Sequence, residues 1–472
     1  MQQTNRVLPR IVVAALRGGS GKTMVSVGLV AAWRANGKDV APFKKGPDYI
    51  DAGWLALAAG RPCYNLDTFM MDSQQVRHSF FSNTESAGIS VIEGNRGLFD
   101  GLDVEGRTST AELAKLLDAP VVLCVDCTKM TRTTAAIVAG CNHFDADINL
   151  AGVILNRVAG PRHENIVRSS IEAYTDVAVL GAIPRLRKEN FPERHMGLVP
   201  TFEHQWNRDS IDTAARVVAD HVDLKRLEKI AAASPAFSGF YDNSAAPGNR
   251  RPQVRIGILK DSAFQFYYPD NLEALAAAGA ELIYISPFET KSIPEIDALY
   301  IGGGFPETHA EQLAQNADFK SDLKRLAEAG LPIYAECGGL MYLGRALVLN
   351  ETTYPMADVL PVTFGLATRP QGHGYTIVEV KRQNPYYEVG TLIKGHEFHY
   401  SYALSWEGDD TALAFELKRG TGFIDKKDGV CYKNVLATYT HIHALGTPAW
   451  AKALVANGIA YQKTIKKGQF RK

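Results

Sequence analysis

The sequence predicts an α/β protein made of two consecutive units, each built on a parallel β-sheet. Between residues 9 and 225, short apolar β-branched runs alternate with helical stretches. Such runs suit strands that are buried on both faces of a parallel sheet, with helices as the crossover connections. The same alternation starts again at residue 254, after a stretch of different composition. At 472 residues the chain also exceeds the length that one hydrophobic core usually organises.

The domain organisation follows from where these patterns begin and end. We expect a first unit over residues 8–231, a linker over 232–253, a second unit over 254–450 and a C-terminal tail over 451–472. The linker is rich in Ser, Ala, Pro, Gly and Asn and has no periodicity, which is typical of a connecting segment. The tail ends in a basic stretch, and we expect it to form a solvated helix with a frayed terminus.

Apolar runs place the individual strands. In the first unit they cover residues 11–15, 40–43, 89–92, 121–125, 152–155 and 178–183. In the second unit they cover residues 254–259, 282–285, 298–301 and 332–335, with a helix near 272–278. From about residue 352 to 440, short segments separated by glycine turns predict a larger share of β structure.

Composition and charge exclude several classes of partner. Lysine plus arginine equals aspartate plus glutamate at 51 each, which gives no electrostatic reason to expect binding to nucleic acid or to an anionic membrane. No apolar run approaches the ~20 residues that span a bilayer, and a strand pattern begins too early for a signal peptide. We therefore expect a cytoplasmic protein.

The cysteines do not indicate a disulfide framework, because there are only six in so long a chain. Cys124 and Cys127 have the spacing of a metal or redox pair, with Cys141 and His143 behind them. Cys124, however, closes the apolar run of a predicted strand, and free cysteine is a common core residue. The sequence therefore favours buried, small apolar side chains over a metal site.

A phosphate-binding loop follows the first predicted strand. Arg17-Gly18-Gly19-Ser20-Gly21-Lys22-Thr23 lies between that strand and a helix that begins near Lys22, with Leu16 where the usual loop has its first glycine. In this context backbone N–H groups point at phosphates, Lys22 neutralises charge and the Thr23 hydroxyl can bind Mg²⁺. The residues expected to bind ATP here are Gly18, Gly19, Ser20, Gly21, Lys22 and Thr23.

Two acidic loops follow later strands of the same unit. Phe43-Lys44-Lys45-Gly46-Pro47-Asp48-Tyr49-Ile50-Asp51 follows the second predicted strand, and Glu93-Gly94-Asn95-Arg96-Gly97-Leu98-Phe99-Asp100-Gly101 follows the third. The carboxyl ends of parallel strands are where such sheets bind ligands. Asp48 and Glu93 can therefore complete a Mg²⁺ shell with Thr23, since that ion takes carboxylates and water. The alternative is a pair of solvated loop carboxylates beside turn glycines.

Two further segments of the first unit are candidates for ligand contacts. Asn156 ends another predicted strand and is a candidate adenine-reading residue of the ATP site. The loop Phe191-Pro192-Glu193-Arg194-His195-Met196-Gly197-Leu198 carries three ionisable residues in a row. This loop either contacts a substrate or caps the sheet, and composition does not decide between the two.

The second unit carries a cysteine at a tight turn. Pro332-Ile333-Tyr334-Ala335 predicts a strand and a helix begins at Gly338, so Cys337 lies at a strand-to-helix elbow between small residues. The helix N-terminus is expected to lower the thiol pKa and so favour the thiolate. The Gly338 N–H can donate to an oxyanion, and the glycine loop at 302–304 can supply a second donor. The expected oxyanion residues are Gly303, Gly304 and Gly338.

A cysteine nucleophile requires a base, and two groups of histidines offer one. Tyr439-Thr440-His441-Ile442-His443 places two histidines on one face of a predicted strand. His396 and His399, in Gly395-His396-Glu397-Phe398-His399-Tyr400, are rivals. An ordinary buried cysteine is the alternative to a nucleophile, but the elbow, the glycine loop and the histidines together favour catalysis.

Taken together, these motifs resemble the cobyrinate a,c-diamide synthase family, ATP-dependent glutamine amidotransferases of corrinoid and related tetrapyrrole biosynthesis. The resemblance covers nearly the whole chain. The motifs that carry it are Phe43-Lys44-Lys45-Gly46-Pro47-Asp48-Tyr49-Ile50-Asp51, Glu93-Gly94, Gly97-Leu98, Asp100-Gly101, Pro192-Glu193-Arg194-His195, Gly302-Gly303-Gly304-Phe305-Pro306-Glu307, Glu336-Cys337-Gly338-Gly339 and His441-Ile442-His443.

The resemblance implies a fold and a chemistry. The fold is an N-terminal P-loop, dethiobiotin-synthetase-like parallel-sheet domain followed by a C-terminal class I glutamine amidotransferase domain. In the implied chemistry, glutamine is hydrolysed at the cysteine to ammonia, and ATP with Mg²⁺ phosphorylates an acetate side chain of the macrocycle. Ammonia then displaces the phosphate to give an amide, at the a and c acetates. The implied partners are glutamine and a tetrapyrrole polycarboxylate, and a homodimer is left open.

The resemblance also assigns roles to single residues. Cys337 matches the family's nucleophile and His441 its histidine base. Class I glutaminases usually have a glutamate two residues after that histidine, but His443 stands there, so the third member of the triad is open. The implied glutamine contacts are His399 and Tyr400. The acidic positions for ATP, Mg²⁺ or substrate handling are Asp48, Asp51, Glu93 and Asp100, and the substrate contacts are Tyr49, Asp51 and Asp100.

Three alternatives stay open at this point. The first is the same chemistry on another tetrapyrrole, namely hydrogenobyrinic acid, nickel sirohydrochlorin or sirohaem, which no motif separates because macrocycle recognition depends on pocket shape. The second is an ATPase switch of the partition or nitrogenase-reductase kind, which fits the phosphate loop but does not need the cysteine elbow. The third is a regulatory binding protein with an inactive cysteine domain.

Overall fold

The structure, a computed structural model, divides into two units, Met1–Asn243 and Ser244–Lys472. It describes residues 2–84, 86–186, 193–194, 197–198, 207–241 and 252–469. Each unit contains a sheet with a parallel core and helices between its strands, so the predicted α/β fold class is confirmed.

The first unit contains eleven described strands and eight described helices. The strands are β1 Gln2–Arg6, β2 Arg10–Ala15, β3 Val40–Lys45, β4 Tyr64–Leu66, β5 Ile89–Glu93, β6 Val121–Asp126, β7 Leu150–Val158, β8 Val179–Pro184, β9 Glu193–Arg194, β10 Gly197–Leu198 and β11 Phe237–Tyr241. The helices are α1 Lys22–Ala35, α2 Tyr49–Ala59, α3 Ser73–Asn83, α4 Thr110–Leu116, α5 Arg132–Phe144, α6 Pro161–Tyr174, α7 Asn207–His221 and α8 Leu224–Ala232.

Seven of these strands form one parallel sheet in the order β4-β3-β5-β2-β6-β7-β8. All six residues of β2 are buried, which explains why its sequence is apolar without alternation. Helix α1 packs tightly against α7, since a Cβ at Gly28 would lie 2.4 Å from Val218 Cγ2. The order places the carboxyl ends of β3, β5 and β2 side by side.

Two strands of this sheet differ from the prediction for identifiable reasons. Strand β3 continues through Lys44 and Lys45, which are both buried, whereas the apolar run in the sequence stops at Phe43. Strand β4 has only three residues, too few for a periodic pattern, and it was not predicted.

The N-terminal part of the expected linker contains ordered structure. Within it, β11 pairs antiparallel with β1. The buried Arg10 guanidinium donates hydrogen bonds to the carbonyl oxygens of Leu8, Leu117, Asp118 and Pro235. A buried cation satisfied by four carbonyls ties the segment after α8 to the start of β2, which a reading of composition did not detect.

The second unit contains fourteen described strands and five described α-helices. The strands are β12 Val254–Leu259, β13 Ala280–Ile285, β14 Ala298–Ile301, β15 Ile333–Glu336, β16 Ala346–Leu349, β17 Thr352–Pro355, β18 Val362–Leu366, β19 Gly372–Val380, β20 Leu392–His399, β21 Ser401–Trp406, β22 Leu413–Arg419, β23 Lys427–Tyr432, β24 Val435–Thr438 and β25 His441–Ile442. The helices are α9 Pro269–Ala277, α10 Ala310–Gln315, α11 Ala317–Glu328, α12 Gly338–Leu343 and α13 Ala449–Gln469.

The main sheet of the second unit has ten strands in the order β13-β12-β14-β15-β24-β23-β22-β19-β20-β25. In this order across the sheet, the first five strands, β13-β12-β14-β15-β24, are parallel to one another. Each neighbouring pair from β24-β23 to β20-β25 is antiparallel. A four-stranded sheet, β17-β16-β18-β21, lies within the same β-rich stretch. The prediction of more β structure after residue 352 agrees with this arrangement.

The C-terminal tail is not a solvated helix over its first half, which corrects the prediction. Trp450, Leu454 and Val455 of α13 are buried in the same core cluster as residues of β12 and β14. The Trp450 ring centroid lies 5.0 Å from that of Tyr300 and 5.4 Å from that of Tyr334. Helix α13 has 21 residues, yet no helix in the described part of the chain is both long and apolar enough to cross a membrane.

Replacing Trp450 with alanine should destabilise the second unit, because it removes a fully buried indole and leaves a cavity against Tyr300 and Tyr334. We expect a loss of about 3–5 kcal/mol, which corresponds to a fall of roughly 10 °C in one calorimetric transition of the full chain. Lys452→Ala, on the exposed side of the same helix, is the matched control. Equal transition temperatures for the two variants would show that α13 is not part of the core.

Candidate phosphate and cysteine sites

The phosphate loop of the first unit connects β2 to α1 through backbone that only glycine adopts easily. Gly19 and Gly21 have φ angles of 72° and 89°. A Cβ at Gly21 would lie 2.1 Å from Asn156 Nδ2. That Asn156 amide donates to the Ser20 carbonyl oxygen at 2.8 Å, and its Oδ1 accepts from the Arg157 N–H at 2.9 Å. The structure therefore places Asn156 beneath the loop, where it fixes the loop's shape.

Lys22 and Thr23 at the start of α1 reach toward the loop after β5. Lys22 Nζ donates to the Arg96 carbonyl oxygen at 3.3 Å. The Thr23 hydroxyl donates to Glu93 Oε1 at 2.8 Å. Burial lowers the pKa of Lys22, and the nearby Lys44 lowers it further. The structure thus brings the predicted phosphate residues and the predicted acid Glu93 into one cluster.

Lys44 is the centre of this cluster, although the sequence analysis gave it no role. Its Nζ donates to Asp51 Oδ2 at 2.7 Å, to Glu93 Oε1 at 2.9 Å and to the Gly94 carbonyl oxygen at 3.2 Å. Asp48 Oδ2 is 3.7 Å away. Burial alone would lower the pKa of Lys44, but the charges of Asp51, Glu93 and Asp48 outweigh it and hold that pKa well above its usual value. The signal for this role in the sequence was a lysine that lies among three acidic residues of the two acidic loops.

The two aspartates of the first acidic loop lie at the N-terminus of α2. Asp48 is its N-cap, and Oδ1 accepts from the N–H groups of Ile50 and Asp51. Burial and the neighbouring Asp51 raise the pKa of Asp48 to about 7. Burial also acts to raise the pKa of Asp51, but Lys44 outweighs it and lowers that pKa. Tyr49 is the first residue of α2, beside both carboxylates.

The residues proposed for Mg²⁺ fit that ion in part. Glu93 is fully buried, and its Oε2 accepts no hydrogen bond from a described residue. The Thr23 hydroxyl already contacts the other carboxylate oxygen. Asp48 reaches this pair only through Lys44. No set of three His, Cys, Asp or Glu side chains suited to a metal occurs among the described residues, so Mg²⁺ here would complete its shell with phosphate oxygens and water.

The remaining predicted residues of the first unit are placed as follows. Asp100 Oδ2 accepts from the Gly97 N–H at 2.9 Å and closes the turn after β5. Strands β9 and β10 pair antiparallel within the predicted 191–198 loop, while Phe191, Pro192, His195 and Met196 lie outside the described residues. The thiols of Cys124 and Cys127 are buried, and burial raises each pKa to about 12.

In the second unit, Cys337 occupies a backbone conformation that is rare for a non-glycine residue. It follows β15 with φ 47° and ψ −99°, and its N–H donates to the Thr438 carbonyl oxygen at 2.7 Å. A Cβ at Gly339 would lie 2.6 Å from the Ile301 carbonyl oxygen, so the next turn must carry a glycine. This strained elbow between β15 and α12 holds the thiol in one position.

The predicted oxyanion glycines lie next to each other beside this elbow. A Cβ at Gly338 would lie 3.0 Å from the Gly304 nitrogen. A Cβ at Gly304 would lie 1.9 Å from the Ala263 carbonyl oxygen, which excludes any side chain there. Gly303 lies against His441, since its Cβ would be 2.5 Å from His441 Cε1 and 3.3 Å from Nε2. The arrangement can present two backbone N–H groups to one oxygen atom.

The expectation that the helix N-terminus lowers the Cys337 thiol pKa is wrong. Burial raises the pKa of this thiol far above its usual value, and the charges of Glu307 and Glu336 raise it further. The Gly338 N–H acts in the opposite direction but is weaker. Helix α12 has only six residues, so its contribution is small. A thiol with a raised pKa needs a base if it is to act as a nucleophile.

The four candidate histidines have different surroundings. His441 stacks on His396, with ring centroids 4.8 Å apart. Burial, together with His441 and His443, holds the pKa of His396 well below its usual value. His443 is paired with a carboxylate of its own, because its Nε2 lies 3.3 Å from Asp270 Oδ2. His399 Nδ1 contacts the Ser401 carbonyl oxygen at 2.8 Å.

The segment predicted to bind glutamine passes beside Cys337. Cys337 Sγ lies 3.8 Å from the Phe398 carbonyl oxygen. His399 and Tyr400 follow directly, and the His399 ring stacks on Tyr439 at 3.6 Å. Glu397 accepts hydrogen bonds from the N–H groups of Thr421 and Gly422, which fixes the strand end.

Comparison with known proteins identifies both halves of the chain. Residues 11–199 match the family described as "CobQ/CobB/MinD/ParA nucleotide binding domain", and residues 255–449 match the "CobB/CobQ-like glutamine amidotransferase domain". Cobyrinate a,c-diamide synthase of Magnetococcus marinus is 44% identical over 95% of this chain and 96% of that protein. The proteins of the same name from Archaeoglobus fulgidus and Listeria monocytogenes are 39% and 40% identical, over 95% and 92% of this chain and 97% and 96% of theirs. The chain belongs to the cobyrinate a,c-diamide synthase family.

Proposed function

We propose that the protein uses ATP and glutamine to convert the a and c acetate carboxylates of cobyrinic acid into amides. The observation that carries the proposal is that one chain of this family combines two sites. The first is a glycine loop with Thr23 beside the buried Lys44 and Glu93. The second is a strained cysteine elbow beside two close glycines. The first suits activation of an acid by a nucleotide, and the second suits release of ammonia from an amide.

In the second unit, glutamine is hydrolysed in two steps. His441 takes the proton from Cys337 Sγ as the sulfur bonds to the amide carbon, and the N–H groups of Gly304 and Gly338 receive the developing oxyanion. The C–N bond then breaks as His441 returns the proton to the leaving nitrogen, which departs as ammonia. Water adds to the thioester with His441 as base, the C–S bond breaks, and glutamate leaves. His399 and Tyr400 contribute to holding glutamine.

In the first unit, a substrate carboxylate is activated by phosphoryl transfer. The backbone at residues 18–21 and Lys22 hold the ATP phosphates, and Asn156 keeps that loop in shape. A carboxylate oxygen bonds to the γ-phosphorus as ADP leaves, and ammonia then attacks the acyl carbon and expels phosphate. Thr23 and Glu93, with Asp48, would hold Mg²⁺, which neutralises phosphate charge when bound. Tyr49, Asp51 and Asp100 contribute to positioning the macrocycle.

Physical chemistry explains why both reactions belong to one chain. A carboxylate is a poor acyl donor because its leaving group is an oxide, and phosphorylation supplies a better one. Free ammonia is mostly protonated at neutral pH, so it is best produced close to where it is used. The same reasoning applies to another tetrapyrrole acid, and the names of the relatives favour cobyrinic acid over that alternative.

The substrate is tested by incubating the protein with ATP, Mg²⁺, glutamine and a panel of tetrapyrrole acids. The panel contains cobyrinic acid, hydrogenobyrinic acid, nickel sirohydrochlorin and sirohaem. We expect cobyrinic acid to show the mass changes of one and then two conversions of a carboxyl to an amide, together with ADP release. Amidation of another member in preference to cobyrinic acid would overturn the substrate assignment but not the chemistry.

Replacing Cys337 with alanine should abolish glutamine-dependent amidation and leave ammonia-dependent amidation intact, because only the thioester pathway uses the thiol. Both activities are measured by mass spectrometry of the product with glutamine or an ammonium salt as nitrogen source. Cys431→Ala, a cysteine outside the elbow, is the matched control. Equal loss of both activities in Cys337→Ala would contradict separate sites for ammonia release and acyl activation.

Replacing Lys22 with alanine should stop amidation with either nitrogen source while glutamine hydrolysis continues at a reduced rate. The reason is that Lys22 acts on the ATP phosphates and has no part in the thioester pathway. Lys38→Ala, three residues beyond the C-terminal end of the same helix, is the control. Undiminished ammonia-dependent amidation in Lys22→Ala would rule out the phosphate loop as the ATP site.

Replacing His441 with asparagine should lower the glutaminase rate by about 100-fold or more, as expected for loss of a general base. His443→Asn should lower the glutaminase rate far less, because His443 contacts Asp270, whereas His441 lies against the oxyanion loop. Glutamate release from glutamine measures both variants. If His443→Asn is the more damaging change, the assignment of the base is wrong.

A further inference from the structure

The position at which class I glutaminases usually carry their third triad residue is occupied here by a residue that is directed elsewhere. His443 stands two residues after His441, and its Nε2 lies 3.3 Å from Asp270 Oδ2. Its ring also packs against Tyr268, with centroids 5.0 Å apart. Both His443 and Asp270 are buried, so they form a pair of their own. The acid that orients His441 must therefore come from another part of the fold.

Glu336 meets the geometric requirement. It is the last residue of β15, directly before the nucleophile, and its side chain is fully buried. Its Oε2 lies 3.4 Å from His441 Nδ1. The Cε1–Nε2 edge of the same imidazole lies against Gly303 of the oxyanion loop. One ring nitrogen of His441 thus contacts a carboxylate, while the other faces the site.

The Glu336 carboxylate is itself held in place by two hydrogen bonds. The Ile442 N–H donates to Oε1 at 3.2 Å, and the Tyr300 hydroxyl donates to Oε2 at 3.0 Å. The Ile442 bond comes from the residue next to His441, so carboxylate and imidazole are fixed relative to each other. The strand pairing contributes as well, because Glu336 of β15 lies opposite Thr438 of β24, three residues before His441.

We propose that Glu336 is the third member of the glutaminase triad, a positioning residue that accepts a hydrogen bond from His441 Nδ1–H. This inference rests on the proposed glutaminase function of the second unit. Glu336 fixes the imidazole tautomer, so that the lone pair on Nε2 is available for the Cys337 thiol proton. It also stabilises the imidazolium that forms when His441 takes that proton.

Two physical arguments support this role. A fully buried carboxylate is costly unless a cation lies close to it, and His441 becomes such a cation during the reaction. Since burial and nearby carboxylates raise the pKa of the Cys337 thiol, the reaction depends on a well-oriented base, and a carboxylate on Nδ1 keeps Nε2 of the imidazole available for the thiol proton. The 3.4 Å separation is long for an established hydrogen bond, but catalytic contacts are often long without substrate and shorten when it binds.

The principal test is Glu336→Gln, which keeps the shape and the acceptor for the Ile442 N–H but removes the charge. We expect the glutaminase kcat to fall by about 100-fold or more with little change in the KM for glutamine, as for amide replacement of a triad acid. The pH profile of the residual activity should also change, because the charge beside His441 Nδ1 is gone. Ammonia-dependent amidation should remain at the wild-type level.

The matched control is Asp270→Asn, which removes a buried carboxylate from the other histidine. We expect this variant to keep the wild-type pH profile and a glutaminase rate within a few-fold of wild type. Glu336→Asp should recover part of the activity lost in Glu336→Gln, because the charge returns at a longer distance. A Glu336→Gln rate within about threefold of wild type, or a loss confined to KM, would overturn the proposal.

A second measurement needs no variant of Glu336 and so does not depend on whether one folds. In wild-type protein labelled with ¹⁵N-histidine, the His441 signal is assigned by comparison with His441→Asn. We expect the neutral Nδ1–H tautomer, and the Nε2–H tautomer would overturn the proposal. The wild-type protein's own glutamine hydrolysis is measured in the same preparation. Its absence would refute the proposed function, whereas an active enzyme with the wrong tautomer would refute only the role of Glu336.

Discussion

Burial of charge is the constraint on which the sites of this protein depend. A buried ion without a partner costs several kcal/mol, so each charged side chain near the strand ends requires a counter-charge from another element. In the first unit, Lys44 of β3 meets Glu93 of β5, and the two residues are direct partners in the sheet register. A slip of one residue would turn Lys44 to the opposite face of the sheet. The ion pair and the strand register therefore specify each other.

The strands that carry the sites were predictable because a strand that is buried on both faces has a continuous apolar run in its sequence. Strands β2, β5 and β6 lie where those runs lie. The same rule did not predict the last two residues of β3, because a buried lysine looks like a solvated one until its partners are known. It also failed for α13, where Trp450 and Leu454 are buried but the basic end dominates the composition. In both cases a tertiary contact buries residues whose local sequence predicts exposure.

In the second unit, too, the local sequence predicts some features of the cysteine site and not others. Small residues around Cys337 predicted the elbow, and the close approach of Gly304 to Gly338 follows from glycines that were visible in the sequence. The acidity of the thiol was not visible, because it depends on burial and on Glu307, about thirty residues earlier in the chain. The partner of His441 was also hidden, since Glu336 and His441 come together only through the pairing of β15 with β24.

Placing the proposed triad acid, Glu336, next to the proposed nucleophile, Cys337, has a chemical consequence. Burial raises the pKa of the Cys337 thiol, and the charges of Glu307 and Glu336 raise it further. Glu336 therefore opposes negative charge on the sulfur, while its contact with His441 Nδ1 favours transfer of the thiol proton to Nε2. Proton transfer then becomes favourable when the developing negative charge moves from sulfur to the substrate oxygen, where the N–H groups of Gly304 and Gly338 can receive it. A cysteine that is unreactive until an amide carbonyl occupies the oxyanion site is protected from other electrophiles and from oxidation.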